Sequence, residues 1–412
     1  MRLQEGKRFL KNVTEGKMKK LLSILLVLLM ACSMMTGCSK ETETVTLKVW
    51  GAQEDQELLA GMIEDFKAAN PDKEWVIELG VVGEPDAAGK YLEDPEAAAD
   101  VFSFPNDQIR DLVNAGGLYK ITRNTENLDK EYGAGTIDAA SLDGNLYAYP
   151  MTADNGYFMY YNSDFFTAED VKDLDTMLDK AAAAGKKVFM DVSNGWYIAS
   201  FFLGNGGTLS IGTDGKQVCD FNNEKGVEAG EAIKAVTAHA GFMTGDDSIL
   251  IAGIQDGSIV AGVSGTWNAD SISNAWGTAY AATKLPEYTT ASGKVQMASF
   301  GGYKLVGVNS QTKYPVEAMD LAAWLTNEAN QVKRFTVRAL GPANVNAAAS
   351  DAVKANVALA ALSQQSAFAV SQKDVLGSYW GPAEAFGTAM ESKDYSKSVQ
   401  ELLNDMVAQI QQ

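Results

Sequence analysis

One stretch near the middle of the chain, residues 144–162, constrains the fold more than any other. Residues 146–149 predict a short extended segment, and Pro150 predicts a break after it, because proline lacks an N–H donor. A second polar break around Asp154 precedes a dense aromatic strand at 157–162. Two extended pieces joined by a polar kink suit a chain that crosses between lobes and leaves the Asp154 carboxylate in the crevice. A surface loop between two strands of one sheet is the alternative.

The length and charge of the chain limit the class of protein. A chain of 412 residues can form two domains with substantial cores. The net charge is −19, to which residues 1–37 contribute +5, so the remainder carries −24. A body this acidic, without a basic run, argues against nucleic acid as a partner. With His239 as the only histidine, we expect no transition-metal site and no cofactor, while a calcium site built from carbonyl groups stays open.

The N-terminal part has the pattern of an export signal. Residues 1–17 are interpreted as an upstream extension, because a secretory signal begins at Met18 with two lysines before an apolar core at 21–31. That core is too short to span a membrane comfortably. We therefore expect the leader to end at residue 37.

The end of this leader resembles a bacterial lipobox, in which Cys38 would take the lipid anchor. Cys32, inside the apolar core, is the alternative. Residues 38–44 would then form a lipidated tether that holds the protein at the extracellular face of the cytoplasmic membrane. Cys219 would be the only cysteine of the folded body, and we expect it to be a buried apolar residue without a disulfide.

The motif Gly144-x-x-Tyr147-Ala148-x-Pro150, followed by Asp154, resembles the segment before the first interlobe crossing in a known family. That family is the extracellular solute-binding proteins of carbohydrate ABC importers, in particular the maltose/maltodextrin-binding branch. The resemblance implies an α/β fold of the two-lobe periplasmic-binding-protein type (type II), with three interlobe crossings, a ligand cleft between the lobes and Asp154 as a carbohydrate contact. The implied lobes are an N-terminal lobe of residues 45–153 plus 300–343 and a C-terminal lobe of residues 154–299 plus 344–412.

The start of the body supplies the first candidate ligand residues. The order strand, loop, helix, strand over residues 45–79 predicts a parallel sheet with ligand contacts at the carboxyl ends of its strands. The family begins the same way, with a strand that ends in Trp and an acidic loop that touches ligand. Glu54 and Asp55 match those acids, and the alternative for both is a solvated loop at a helix start.

A second candidate turn follows at residues 100–107, where we predict a third strand. Asn106 is the predicted N-cap of a helix that continues through residue 115. In the family this turn supplies an aromatic platform and an acid to the sugar, and Phe104 and Asp107 match those two places. The alternative for Phe104 is a place in the core.

Three aromatic positions in the second half of the chain complete the resemblance. Trp196 and Tyr197 follow a glycine at a predicted strand end, where the family places rings against glucose. Gly265-x-Trp267 matches the end of a family motif whose Trp lines the cleft, and Trp380 matches a further platform. A rigid aromatic at a helix start contributes contact area with little loss of entropy.

Together these residues favour a neutral oligosaccharide, because sugar C–H faces stack on aromatic rings and sugar hydroxyls donate to carboxylates. No Arg or Lys stands at the candidate positions, and α-1,4-glucans such as maltose and maltooligosaccharides are the preferred ligands. We expect lobe closure over the sugar, a monomer, and delivery to ABC permease subunits with a cytosolic ATPase. No P-loop is present in the chain itself.

The sequence leaves other functions open. Another class of oligosaccharide would use the same residue types. A glycoside hydrolase would need two carboxyl groups about 5–10 Å apart across the scissile bond, and no short motif pairs the acids. A sugar receptor without a transport role is the third possibility.

Overall fold

The computed structural model describes residues 43–412. The predicted upstream extension, signal peptide and Cys38 anchor lie outside these residues. Within the described range, no helix combines the length and the apolar composition that a membrane crossing requires. The main body comprises residues 46–69 and 76–412, and residues 43–45 with 70–75 form a separate small unit.

Strands and helices alternate through the chain. The strands are β1 (Thr44–Gly51), β2 (Glu74–Val81), β3 (Val101–Pro105), β4 (Ser141–Leu142), β5 (Asn145–Leu146), β6 (Ala148–Gly156), β7 (Phe158–Asn162), β8 (Lys187–Phe189), β9 (Leu209–Ile211), β10 (Gln217–Cys219), β11 (Phe242–Met243), β12 (Ile259–Ser264), β13 (Tyr280–Thr283), β14 (Glu287–Thr290), β15 (Gly293–Gln296), β16 (Ser299–Val308) and β17 (Ala369–Ser371). The helices are α1 (Gln56–Ala69), α2 (Ala87–Glu93), α3 (Ile109–Asn114), α4 (Leu128–Glu131), α5 (Ala134–Ala139), α6 (Leu174–Ala183), α7 (Gly195–Gly204), α8 (Glu224–Ala238), α9 (Asp247–Gln255), α10 (Ala269–Trp276), α11 (Pro315–Thr326), α12 (Glu328–Arg338), α13 (Val345–Ala348), α14 (Asp351–Lys354), α15 (Val357–Gln365), α16 (Trp380–Glu391) and α17 (Val399–Ile410).

The first sheet has the strand order β17-β16-β3-β1-β2, and β6 also pairs with β16. β1 and β3 are parallel, with Val49 opposite Val101, whereas β16 runs antiparallel to both β3 and β6. Every residue of β3 is buried, as expected of a strand covered on both faces. The carboxyl ends of β1 and β3 therefore carry two of the predicted acidic turns to the same edge of one sheet.

The second sheet has the order β11-β8-β12-β7-β13. β8 is parallel to β11 and β12, and β7 runs antiparallel to its neighbours β12 and β13. The chain passes from the first sheet to the second between β6 and β7 and returns between β13 and β16. It passes again between α12 and α15, which packs against β13.

A large core cluster surrounds α7, whose residues are mostly apolar and buried and which carries the candidate residues at its start. Phe201 and Phe202 are buried there, and α16 packs directly on α7. Burial of each such ring contributes about 1.5–3 kcal/mol relative to exposure. The buried apolar residues of α7 thus fix the position of its N-terminal turn.

The predicted breaks at Pro150 and at Asp154 are wrong, because β6 runs through both residues from Ala148 to Gly156. Pro150 lies opposite Leu305 of β16, and the pairing of these two strands shifts register on both sides of Lys304. Proline cannot donate to a regular ladder, so the strand accommodates it where the ladder is already irregular. Neither residue ends the strand.

The predicted N-cap role of Asn106 is also wrong. Residues Asn106–Gln108 form a 3-10 helix, and α3 begins only at Ile109. The Asn106 side chain instead accepts a hydrogen bond from the Tyr303 backbone N–H at 2.9 Å. A contact with β16 has therefore replaced the local cap, and it fixes the turn after β3 to the neighbouring strand.

Candidate functional site

Asp154 lies in β6 with its side chain buried among segments from three parts of the chain. Its Oδ2 accepts hydrogen bonds from the Thr266 hydroxyl at 2.7 Å and from the Gly341 backbone N–H at 2.6 Å. A Cβ at Gly341 would lie 2.9 Å from the Asp154 Cβ, so this approach requires a glycine. Within residues 43–412, Asp154 Oδ1 is buried without a hydrogen-bond partner and keeps an unused acceptor.

Trp196 stands in the first turn of α7. The Asn194 side chain caps the helix by accepting from the Trp196 backbone N–H at 2.9 Å, and the Tyr157 hydroxyl donates to the Trp196 carbonyl at 2.8 Å. The half-buried indole ring lies 5.9 Å from the ring of Trp267, with 39° between the planes. Two predicted platforms are thus neighbours, although they are far apart in the sequence.

Trp267 lies in a short 3-10 helix, Thr266–Asn268, and two contacts fix its ring. Its indole N–H donates to the Asp247 carboxylate at 2.9 Å. A Cβ at Gly265 would clash with the Trp267 ring, which explains physically why glycine stands two residues before this Trp. The half-buried ring is therefore fixed by a hydrogen bond and by close packing on its own backbone.

Trp380 begins α16 and is half-buried against Phe300, with 5.9 Å between the ring centroids. Its carbonyl oxygen would lie 3.3 Å from a Cβ at Gly195, and the Tyr379 hydroxyl donates to the Gly195 carbonyl at 3.0 Å. These contacts place the start of α16 beside the start of α7, so Trp380 belongs to the neighbourhood of Trp196.

Asp107 is connected to this aromatic group through Gln372, a residue that the sequence did not single out. The Gln372 amide donates to Asp107 Oδ1 at 2.6 Å and accepts from the Trp196 indole N–H at 3.1 Å. Burial raises the pKa of Asp107 to about 7; the Gln372 hydrogen bond acts against this rise, and nearby Asp111 adds to it. Through Gln372, Asp107 at the end of β3 is therefore linked by hydrogen bonds to the aromatic group around Trp196.

Lys304 is a second residue that no sequence motif indicated. From β16 its ammonium lies 5.5 Å from the centre of the Trp267 ring and 3.7 Å from the Glu84 carboxylate. Burial acts to lower the pKa of Lys304, but Glu84 and the more distant acids Asp154, Asp55 and Glu54 raise it overall. No local pattern indicated it, because every residue of β16 is buried or half-buried and the strand shows no alternation.

The acids of the first turn have different surroundings. Glu54 is exposed, whereas Asp55 is buried and forms ion pairs with Arg334 at 3.2 Å and Arg338 at 3.1 Å. Both arginines come from α12, so Asp55 ties the end of β1 to that helix. Contacts of either acid with sugar stay a prediction.

Two of the predicted platforms lie in core clusters. Phe104 has no exposed surface and packs beside Phe102, with a Cβ at Gly307 only 2.8 Å from its ring. Tyr197 is 6% exposed and lies 5.0 Å from Tyr157, ring to ring. The structure therefore does not bring these two rings to the surface that Trp196 and Trp267 share, and their contact with sugar stays a prediction.

Titratable side chains in residues 43–412 form no group of three or more that could hold a metal ion. Cys219 is buried with a free thiol, as predicted from the sequence, and burial raises its pKa to about 12. A thiol with such a pKa remains protonated at neutral pH and is a poor nucleophile. The chemistry of the site therefore comes from indole rings, carboxyl groups, one amide and one ammonium.

Known proteins resemble this chain in both sequence and fold. The profile of the family described as bacterial extracellular solute-binding protein matches residues 61–361. The galactooligosaccharide-binding protein of Bacillus subtilis (strain 168) is 30% identical over 369 residues, which cover 84% of each chain. A solved structure with acarbose is 31% identical, has a TM-score of 0.81, and the match covers 89% of this chain and 99% of that one.

More distant structures establish the fold alone. The maltodextrin binding protein from L. casei BL23, without ligand, is 22% identical with a TM-score of 0.74, and the match covers 90% of this chain and 99% of that one. The predicted α/β fold with two lobes, as in periplasmic binding proteins, is confirmed by these likenesses. The chain belongs to the family of bacterial extracellular solute-binding proteins.

Proposed function

We propose that this protein captures a neutral oligosaccharide outside the cell and delivers it to the permease of an ABC importer. The observation that carries the proposal is the grouping of three half-buried indoles, Trp196, Trp267 and Trp380, with two carboxyl groups. Gln372 links the Asp107 carboxyl to Trp196, and Asp154 accepts from Thr266, the residue before Trp267. Sugar C–H faces stack on indole planes, and each stacked ring should contribute roughly 1–2 kcal/mol. Hydroxyls that donate to a carboxylate add about 1.5–3 kcal/mol where the geometry is good.

The polar groups around the indoles suit a ligand that both donates and accepts hydrogen bonds. Asp154 Oδ1 is a buried acceptor without a partner among residues 43–412, and the Lys304 ammonium offers donors beside Trp267. The Lys304 charge is balanced by Glu84, so the ammonium does not make the site cationic. A neutral polyol satisfies both kinds of group without bringing in a new charge.

Two classes of sugar are candidates. α-1,4-Glucans, maltose and maltooligosaccharides, are the ligands that the sequence resemblance implies. Galactooligosaccharides are the second candidate, because a relative with 30% identity over 84% of the chain is named for binding them. Both present several pyranose rings, which agrees with several platforms.

Isothermal titration calorimetry across linkage types tests this proposal. The panel contains maltotriose, maltotetraose, a β-1,4-galactotriose, xylotriose and, as an anionic control, a trigalacturonate. We expect binding in the micromolar range or tighter to one neutral series and none to the uronate. Binding to no neutral oligosaccharide, or tighter binding to the uronate, would contradict the proposal.

We further propose that the protein binds its sugar without hydrolysing it. Incubation of the purified protein with its tightest oligosaccharide should leave the chain length unchanged in a chromatographic assay. Shortened products would favour the glycoside hydrolase instead. The surrounding genes provide an independent check, because permease genes beside this one would support an importer over a receptor without a transport role.

The remaining parts of the proposal are Cys38 lipidation, the monomeric state and closure of the two predicted lobes on the sugar. A Cys38→Ala variant should be released from membranes into the medium. Small-angle scattering should show a monomer whose radius of gyration falls when the sugar is added. An unchanged radius at saturation would contradict closure.

A further inference from the structure

Gln372 is buried between elements that belong to the first sheet and elements that belong to the second. It directly follows β17, and its backbone N–H donates to the Gly301 carbonyl of β16 at 3.2 Å. Gln372 is 2% exposed, and a Cβ at Gly302 would lie 3.0 Å from the Gln372 Cγ and Cδ. The same Cβ would clash with the Asn106 side-chain oxygen. Glycine at 302 is therefore what leaves room for this amide.

The orientation of the Gln372 amide follows from the chemistry of its partners. An indole N–H can only donate, so the amide oxygen must face Trp196. The amide NH₂ must then face Asp107, where it donates to Oδ1 at 2.6 Å. One side chain thus determines which carboxyl oxygen of Asp107 is engaged and in which direction the indole N–H of Trp196 points.

We propose that Gln372 is a positioning residue of the sugar site, which holds the Trp196 indole and the Asp107 carboxyl in one hydrogen-bonded line and leaves Asp107 Oδ2 to a sugar hydroxyl. This inference rests on the proposed function. Gln372 acts through its two neighbours, so its removal should change their geometry as well as the affinity.

Exchanging the donor and acceptor roles of residues 107 and 372 tests this row of hydrogen bonds directly. Gln372→Glu replaces the amide donor by a second carboxyl group, so the two buried groups must either repel each other or share a proton. We expect at least a tenfold loss of affinity at pH 8 for the oligosaccharide found by calorimetry, and a smaller loss at lower pH, where a shared proton restores the contact. In the double variant Asp107→Asn/Gln372→Glu, the amide at position 107 can donate to the carboxylate at position 372, which still accepts from the Trp196 indole. We expect this double variant to bind at least threefold more tightly than Gln372→Glu alone. The single variant Asp107→Asn is measured as well. If the loss of binding free energy in the double variant equals the sum of the losses in the two single variants, the proposal is overturned.

The indole N–H resonance of Trp196 gives a readout that does not depend on sugar. It can be assigned in a ¹⁵N spectrum by its loss in Trp196→Phe. Gln372→Met, which keeps the side-chain length but removes both hydrogen bonds, should shift this resonance upfield, and the polarity-reversed double variant should return it towards its original position. An unmoved resonance in Gln372→Met would overturn the proposal.

Gln365→Met is the matched control. Gln365 is also a fully buried glutamine, but its amide contacts the Leu285 N–H and the Met297 carbonyl. We expect it to lower the melting temperature without moving the Trp196 resonance; an equal shift would show that Gln372→Met acts only by general destabilisation and would overturn the proposal. If the unaltered protein binds no oligosaccharide, the proposed function fails, whereas the Trp196 resonance still decides whether Gln372 holds the indole.

Discussion

Asp55 and Asp107 are both buried, and both lie in short 3-10 helices that follow parallel strands of the first sheet, β1 and β3. Their partners differ. Asp55 faces two guanidinium groups, those of Arg334 and Arg338, whereas Asp107 faces the neutral amide of Gln372. The family resemblance implies both carboxyl groups as sugar contacts, and each follows the end of a strand.

The difference shows what each partner does to a buried carboxyl. Two arginines balance the charge of Asp55 and occupy both of its oxygens, which makes it part of the link between β1 and α12. An amide brings no charge, so burial raises the pKa of Asp107 to about 7. A neutral partner therefore leaves Asp107 with a proton to exchange and with capacity for a further hydrogen bond.

Loss of Arg334 should give the largest effect on stability. Arg334→Met leaves the Asp55 carboxylate buried with only Arg338, and removal of one partner from a buried pair costs about 3–5 kcal/mol. Urea denaturation measures the change in unfolding free energy. The control is Arg123→Met, which breaks the exposed pair of Arg123 with Asp320 and should cost less than about 1 kcal/mol. Equal losses in the two variants would remove the distinction between a buried and a solvated pair.

The Asp107 carboxyl should make stability depend on pH in a defined window. Its pKa is raised from an ordinary 3.8 to about 7 in the folded protein, so its stabilisation is complete below pH 4 and is lost as the pH rises through 7. The loss between pH 4 and pH 7.5 should be roughly 2–4 kcal/mol, from about 1.36 kcal/mol per pKa unit. Asp107→Asn should flatten this part of the profile in urea titrations. Identical slopes for the two proteins would show that Asp107 is ionised throughout.

Substitution of Trp267 should weaken sugar binding without destabilising the sugar-free protein. Trp267→Ala should weaken oligosaccharide binding at least tenfold, about 1.4 kcal/mol, with little change in the melting temperature of the sugar-free protein, because its ring is half-buried. The control is Trp324→Ala, since this half-buried Trp packs on Phe66 and donates to the Met62 carbonyl. That variant should lower the melting temperature and leave the affinity unchanged. Unaltered affinity in Trp267→Ala would make Trp267 a scaffold residue like Asp55.

The smallest effect is expected at Asp247, an exposed acid that holds the Trp267 indole. Asp247→Ala removes the hydrogen bond from the Trp267 indole, together with a long one of 3.5 Å from the Ser264 hydroxyl. It should weaken sugar binding by about twofold to fivefold, or roughly 0.5–1 kcal/mol. The adjacent control, Asp246→Ala, removes the N-cap of α9 and should cost about 1 kcal/mol of stability without changing the affinity. Calorimetry and thermal unfolding distinguish the two, and equal affinities would mean that packing against Gly265 suffices to hold the ring.

Local sequence signals anticipated much of the fold. The first helix, predicted as part of the order strand, loop, helix, strand over residues 45–79, spans Gln56–Ala69 and buries one apolar face. The glycine before Trp267 was visible as a motif, and the structure gives it a steric reason. The local rules failed at Pro150 and Asn106, where β16 supplies a partner that neither propensity nor capping chemistry takes into account.

The sequence by itself determined the periodicity of strands and helices, the acidity of the body and the family, since these depend on neighbouring residues and on composition. Only the tertiary structure decided the partners of the buried charges. Arg334 reaches Asp55 from 279 residues further along the chain, and Gln372 reaches Asp107 from 265 residues further along. The physical reason is that a buried carboxyl takes its pKa and its free lone pairs from whichever group packing brings into contact, and no local pattern records that group.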